Sequence, residues 1–396
     1  MKMLRQISSV TTMNLRSLPQ RWSTSLVIVI GIAGVVAVLV SVLAMSTGMI
    51  KTLNSAGRDD RAIVLRNGSA SEMGSVLLRD AVRTIVDAPG IKRDAEGKPI
   101  ASAETIRMAT VHKKGDGAEV NIPLRGVGQQ VQALRPELKI LQGRMFNPAV
   151  NELIVGKAAH AQFKGLGLGD QLHTRGATWT VVGVFASGGD SHESELLTDA
   201  ETLNSTDGRA AFQNVIVLLD SPAAFQRFKD ALSANPALAV DVSRESEYYR
   251  RQSEVIGKVI GIIAYVVGGI MAVGAIFGAL NTMYSAVSAR LKEIATLRAL
   301  GFGATAMVLS VLVEALLLAL LGGIIGAGLA WLFFNGNMVS SATSGPGQGQ
   351  LVFQLSVSLQ LVALGIVWAC VIGLVGGLFP AIRAARLPVA EALRSV

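Results

Sequence analysis

Cysteine is nearly missing from this chain. Cys370 stands alone, inside an apolar run, so no disulfide can form within one chain. Charge is scarce too, at 16 % of residues against 51 % apolar, which argues against an ordinary soluble enzyme and for a membrane protein with a soluble portion. Histidine is limited to His112, His160, His173 and His192, scattered along the sequence. Only Asp190, His192, Glu193 and Glu195 lie together, and they read as a solvated loop, because a metal site needs fixed convergent ligands. No metal ligand and no catalytic residue is expected. Walker A is absent as well. Gly97-Lys98, Gly156-Lys157 and Gly257-Lys258 are followed by Pro99, Ala158 and Val259, where a P-loop needs Ser or Thr for Mg²⁺. Gly165-Leu166-Gly167-Leu168-Gly169-Asp170 lacks the lysine and reads as a turn. Nucleophile elbows and HExxH motifs are missing too.

What is present is an uneven distribution of charge. The chain carries a net +8. Residues 1–23, 285–305 and 381–396 carry +4, +2 and +2, the whole excess, while 51–254 is balanced. Basic residues gathered at the ends of apolar runs follow the positive-inside rule and not a nucleic-acid face, so no nucleic-acid partner is expected.

The apolar runs then order the chain. Residues 1–23 form a cytoplasmic amphipathic segment, with Leu4, Ile7, Val10, Met13 and Leu15 alternating with polar residues and Trp22 as an interfacial anchor. Residues 24–55 make the first spanning helix and a stalk. The run is too long for a signal peptide and ends without a small-x-small cleavage site, so it reads as an uncleaved anchor. Residues 56–244 form an extracytoplasmic α+β domain. A helix is expected over Ser71–Val86 with Ser71 as N-cap. A hairpin is expected across Gly176-Ala177, and a helix capped by Ser221 with Pro222 at its first position. Residues 245–287 read as one long helix, a polar stalk running into the second span. Residues 288–304 hold a short basic coupling helix, 305–334 the third span, 335–355 a short outer loop, 356–380 the fourth span closed by Pro380, and 381–396 a cytoplasmic tail.

Three features carry function. In the coupling helix, Leu291, Ile294 and Leu297 recur every three residues and make one apolar stripe, edged by Arg290, Lys292, Glu293 and Arg298. Gly301 follows where a C-cap belongs. The stripe reads as a docking face for another protein; a bare connecting loop is the alternative. Glycines four apart, at Gly257/Gly261, Gly274/Gly278, Gly322/Gly326 and Gly373/Gly377, allow close helix packing, within the chain or across a dimer. Glu314 lies about 12 Å along the third span. A carboxylate there must face protein or water, as a structural hydrogen-bonding group or as a functional contact, and it has no basic partner inside the apolar runs.

These pieces resemble the MacB-like permeases of ABC transporters, with their FtsX-type membrane domain. The run from Arg290 to Gly301 is similar to the family's stretch after the second span. Glu314 with Gly322-Gly323 resembles its third span, and Phe379 to Arg394 its C-terminal ending. In the outer domain Gly143-Arg144-Met145-Phe146, Glu152-Leu153-Ile154-Val155-Gly156 and Gly169-Asp170 resemble family pieces. The resemblance implies four transmembrane helices with the large α+β domain between helices 1 and 2, in a multi-pass protein of the bacterial inner membrane with both termini cytoplasmic. It implies a permease that binds no cofactor itself and works as a dimer, homodimer or paralogue heterodimer, with a cytoplasmic ABC ATPase that uses ATP and Mg. It leaves open a periplasmic adaptor. Only a short segment precedes the first span, so no fused ATPase is expected. The function implied is export or extrusion of a peptide, lipid, lipoprotein or drug. Alternatives are an FtsX-like signalling or scaffold protein that regulates an extracytoplasmic enzyme, and a membrane-anchored sensor without an ATPase.

Overall fold

A computed structural model describes Gln6, residues 10–13, 22–342 and 349–386. The amphipathic segment expected near the N-terminus lies largely outside these residues, as does the tail beyond Arg386. Gln6 and residues 10–13 are helical. The chain divides into two units, one from residues 1–47, 258–337 and 356–396, the other from 48–257 and 338–355.

Four helices are long and apolar enough to cross a membrane. They are α1 (Trp22–Ala56), α7 (Glu245–Ala289), α9 (Ala304–Phe334) and α10 (Leu359–Arg386). Within the first unit, their small and branched side chains pack into one core that includes Ile32, Val36, Ala315, Ala319, Ala369 and Ile372. Pro380 does not end the last helix, which runs on to Arg386. A proline inside a helix loses one backbone hydrogen bond. Burial of Ala381 and Ala384 in the same core holds the final turns in place.

The second unit is α+β. Its strands are β1 (Arg61–Arg66), β2 (Leu77–Leu78), β3 (Ala101–His112), β4 (Glu119–Val127), β5 (Lys139–Gly143), β6 (Glu152–Gly156), β7 (Gln171–Thr174), β8 (Ala177–Ala186), β9 (Leu196–Asp199), β10 (Ala211–Phe212), β11 (Asn214–Leu218) and β12 (Val240–Arg244). Ten of them form one sheet in the order β12-β1-β11-β3-β4-β9-β6-β8-β5, with β7 on β8. Short helices α2 (Arg79–Val86), α3 (Val131–Leu134), α4 (Lys157–Gln162), α5 (Ala200–Thr206) and α6 (Ala224–Ser233) accompany the sheet. One core gathers Trp179, Phe163, Leu153 and Leu196, and another gathers Phe228, Ile85 and Val217.

The structure corrects several sequence expectations. The helix expected from Ser71 begins only at Arg79, because Leu77 and Leu78 are extended and pair with β10. Ser71 flanks a single 3-10 turn without capping it. Likewise Ala223, not Ser221, precedes α6, and the Ser221 carbonyl accepts from the Ala224 N–H. Gly165–Asp170 is a turn, closed by the Gly167 N–H donating to Asp170 Oδ2 at 2.7 Å. The stretch expected as a short outer loop holds an antiparallel hairpin, β13 (Met338–Ala342) and β14 (Gln350–Gln354). Val352 of that hairpin lies in the Trp179 core. Its N–H donates to Ser194 Oγ at 2.9 Å, and its carbonyl accepts from the same hydroxyl at 3.1 Å.

Candidate functional site

The connection between α7 and α9 is a helix of its own, α8 (Leu291–Ala299). Arg290 leaves helical geometry at φ −104° and ψ 11°, and its carbonyl accepts from the Ile294 N–H at 2.9 Å, so the chain restarts in a new direction. The far end is a Schellman motif. Gly301 sits at φ +92°, its N–H donates to the Arg298 carbonyl at 3.0 Å, and the Phe302 N–H donates to the Leu297 carbonyl at 3.1 Å. Only glycine takes that backbone without strain.

The apolar stripe of α8 faces inward. Ile294 is buried, Leu291 and Leu297 are half-buried, and Ile294 packs in the same core as Met283, Val287, Met307 and Val311. Arg290, expected at a rim, is 5 % exposed. Its Nη1 lies 3.1 Å from Glu314 Oε2, so Glu314 has the basic partner that the sequence did not offer it. Arg298 is half-buried and donates to the Ala385 carbonyl at 2.8 Å. Lys292, Glu293, Thr296, Ala299 and Leu300 are exposed, Leu300 at 73 %. A polar face with one apolar tip is therefore presented outward, on a helix fixed from behind by a buried ion pair. The pairing is readable in retrospect. One basic residue closes an apolar run and one acid lies a few turns into the next, and two neighbouring antiparallel helices bring such positions level.

The glycines divide into two groups. A Cβ on Gly326 would lie 2.4 Å from the Ala33 carbonyl oxygen, and one on Gly322 2.9 Å from that of Val29. On Gly373 and Gly377 it would meet the Ala319 and Ala315 methyls at 2.4 and 2.6 Å. These four let α1, α9 and α10 approach closely. Gly274 and Gly278 on α7, like Gly261, face open space.

The second unit hides a charged cluster that the sequence reading placed in solvent. Asp190, His192, Glu193 and Glu195 are all buried. Arg125 organises their surroundings. Its Nε donates to Glu195 Oε2 at 2.6 Å, Nη1 to Glu104 Oε2 at 2.8 Å, and Nη2 to Glu72 Oε2 at 3.0 Å. Arg135 pairs with Glu245 at 3.0 Å, and Arg61 with Glu137 at 2.7 Å. Burial pushes the Glu72 carboxyl above its ordinary value and outweighs the attraction of Arg125. For Glu195 burial pushes the same way, but the charge and hydrogen bonds of Arg125 win and hold it below. The spacing of these acids along the chain carries no sign of this, because the arginines come from β1, β4 and the end of α3. Among the described residues no group of His, Cys, Asp and Glu could hold a metal ion.

Comparison with known proteins accounts for both units. The sequence pattern of the MacB-like periplasmic core domain matches residues 22–235, and that of the FtsX-like permease C-terminal region matches residues 265–389. The chain belongs to the MacB-like, FtsX-type permeases. Its α+β unit is thus the periplasmic domain inserted after the first of four transmembrane helices. YknZ of Bacillus subtilis strain 168, an uncharacterized ABC transporter permease, is 26 % identical over 417 residues, covering 98 % of this chain and 97 % of that protein. The macrolide export ATP-binding/permease protein MacB 1 of Aeromonas hydrophila is 25 % identical over 388 residues. That match covers 92 % of this chain but 57 % of the relative's length. The ABC transporter permease MJ1507 of Methanocaldococcus jannaschii is 31 % identical over 145 residues, 36 % of this chain and 35 % of its own. Among solved structures, the periplasmic region of MacB from Actinobacillus actinomycetemcomitans shares 15 % identity at a TM-score of 0.38, covering 52 % of this chain and 97 % of that one. The extracellular domain of YknZ shares 17 % at 0.35, covering 46 % and 100 %.

Proposed function

We propose that this ABC transporter permease couples ATP hydrolysis by a separate cytoplasmic ATPase to movement of its periplasmic domain. The purpose is export or extrusion of a peptide, lipid, lipoprotein or drug. The observation that carries the reading is α8, a helix that shows Lys292, Glu293, Thr296, Ala299 and Leu300 outward while Arg290 and Ile294 anchor it from behind. The ATPase, with its ATP and Mg, would grip this outward face. Displacement of α8 would pass through the Arg290–Glu314 pair into α9, and through α7, one continuous helix of 45 residues, toward the periplasmic domain. A MacB relative whose name joins ATP-binding and permease functions is consistent with such a pairing. The open glycine face of α7 suits a second permease, identical or paralogous.

The test is recovery of the ATPase with tagged permease from mild detergent. Leu300→Asp and Thr296→Arg should each lower recovery roughly tenfold at equal membrane levels, as loss of one well-packed contact does. Ile294→Asp should instead lower the membrane level itself, since Ile294 faces the permease's own core. Full ATPase recovery with both outward-face variants would end the docking reading.

A further inference from the structure

The periplasmic unit carries two kinds of basic residue. Its buried arginines, Arg61, Arg107, Arg125 and Arg135, all pair with carboxylates. Among the described residues, four lysines around α4 do not. Lys113 and Lys114 follow β3, Lys157 opens α4, and Lys164 lies just beyond it. Lys114, Lys157 and Lys164 are exposed, and Lys113 is half-buried. The two stretches run side by side. The Lys114 N–H donates to the Gln162 carbonyl at 2.8 Å, and the Lys164 N–H to the His112 carbonyl at 2.8 Å. Lys114 Nζ donates to the His160 carbonyl at 2.7 Å and keeps further N–H donors to offer. The acids of these stretches are otherwise placed. Asp116 accepts from the Ala118 N–H within its own turn, and Glu119 stands opposite His112 across β3 and β4.

We propose that this basic end rests on the outer leaflet of the membrane and binds the phosphates of anionic phospholipid head groups. A chain of contacts sets its height. α1 runs without charge from Trp22 to Ile50. Gly48 lies about 39 Å along that helix from Trp22, close to the roughly 40–45 Å of a bilayer with its head groups. It packs on the base of the β13–β14 hairpin, where a Cβ on Gly48 would stand 2.3 Å from the Gln354 carbonyl oxygen. Gln354 pairs with Met338. The Met338 carbonyl accepts from Gln162 Nε2 at 3.2 Å, and Gln162 is the residue whose carbonyl holds Lys114. Met338 also follows Phe334, the last residue of α9, by at most about 14 Å of chain. Lysine charges at head-group height act within the Debye length of about 8 Å, and each strengthens binding to an anionic surface roughly fivefold. Lysine suits a fluid phosphate layer, because its ammonium is a compact charge on a flexible stem. A zwitterionic head group carries its own cation beside the phosphate, so anionic lipids are selected.

The experiment uses the full chain in phosphatidylcholine nanodiscs that hold phosphatidylglycerol with a diazirine on its head group. Phosphatidylcholine with the same reactive group is the comparison. Cross-linked peptides are mapped by mass spectrometry, and label on the stalk around Lys51 reports that the reagent reaches the outer leaflet. Label from the anionic lipid is expected on residues 112–119 and 157–164, about fivefold or more above that from the zwitterionic one. Lys114→Gln with Lys164→Gln should lower it roughly twentyfold, while Lys114→Arg with Lys164→Arg should keep most of it. Both side chains are exposed, so neither pair of substitutions disturbs a core. Raising the salt to about 1 M should also lower the label, as the Debye length falls to about 3 Å. Stalk label without label on these stretches would overturn the proposal. Equal labelling by the two lipids would do so too, as would unchanged labelling in the glutamine variant. Displacement of the label by millimolar inorganic phosphate would assign the lysines to a free anion and overturn the lipid reading. No ATPase takes part, so this result and the coupling reading fail or stand separately.

Discussion

At the scale of single residues, the pairs that matter most are out of sight. Arg290 and Glu314 are both buried and paired with each other, and breaking a buried ion pair by removing one partner costs about 3–5 kcal/mol. Glu314→Leu and Arg290→Leu should each lower the midpoint of thermal aggregation in detergent. The double variant should recover most of the loss, because no charge is left stranded; a double variant as unstable as either single one would deny the coupling. Glu195 and Glu72 make a contrasting pair. A carboxyl held below its ordinary value stabilises the fold above that value and ceases to as pH falls through its lowered one. Glu195→Gln should therefore destabilise at neutral pH, and its deficit should shrink as the pH drops below about 4.5. Glu72, pushed upward, works with the opposite sign: it weakens the fold as pH rises past its ordinary value. Glu72→Gln should be well tolerated at pH 7. Denaturation midpoints across a pH series check both signs.

At the scale of elements, close approach and open face predict different outcomes for the same substitution. Gly373→Leu and Gly326→Leu would drive side chains into backbone or methyl groups that stand 2.4 Å from the first carbon added, so folded yield should collapse. Gly274→Leu meets nothing within its own chain and should leave yield intact while reducing recovery of a dimer. Gel filtration with fluorescence detection separates the two effects. Elements were also where the sequence was most legible. Length and apolarity mark α1, α7, α9 and α10, and Gly301 marks the end of α8. Side-chain direction was harder to read. A three-residue apolar repeat says that α8 has a wet and a dry face. It does not say whether the dry face meets a partner or the permease itself, and Ile294 meets the permease. Asp190–Glu195 misled for a related reason. Polar composition signals water unless opposite charges are nearby, and Arg125 and Arg135 lie far off in sequence. Short strands such as β2 were hidden because two apolar residues fit a helix as well as a bridge.

At the scale of the whole molecule, charge distribution predicts which side each segment occupies. Both termini and residue 295 should be cytoplasmic, and residue 116 outside. Single cysteines in a Cys370→Ala background, probed on intact cells with an impermeant thiol reagent, should label at 116 and stay silent at the exposed position 292 of α8 until the membrane is opened. The reverse pattern would invert the topology.

The β13–β14 hairpin sets an order of events. A ribosome delivers the chain from the N-terminus, so the residues around Trp179 emerge long before Val352, which completes their core. Throughout synthesis of α7, α8 and α9 the periplasmic domain waits with an open seam. Ser194 lacks its hairpin partner, and the site that Val352 will fill stands exposed to whatever chaperones or proteases patrol the periplasm. Only a chain that has threaded its third span can close that seam. Final maturation of the outer domain is in this way a report that the first three spans have been inserted.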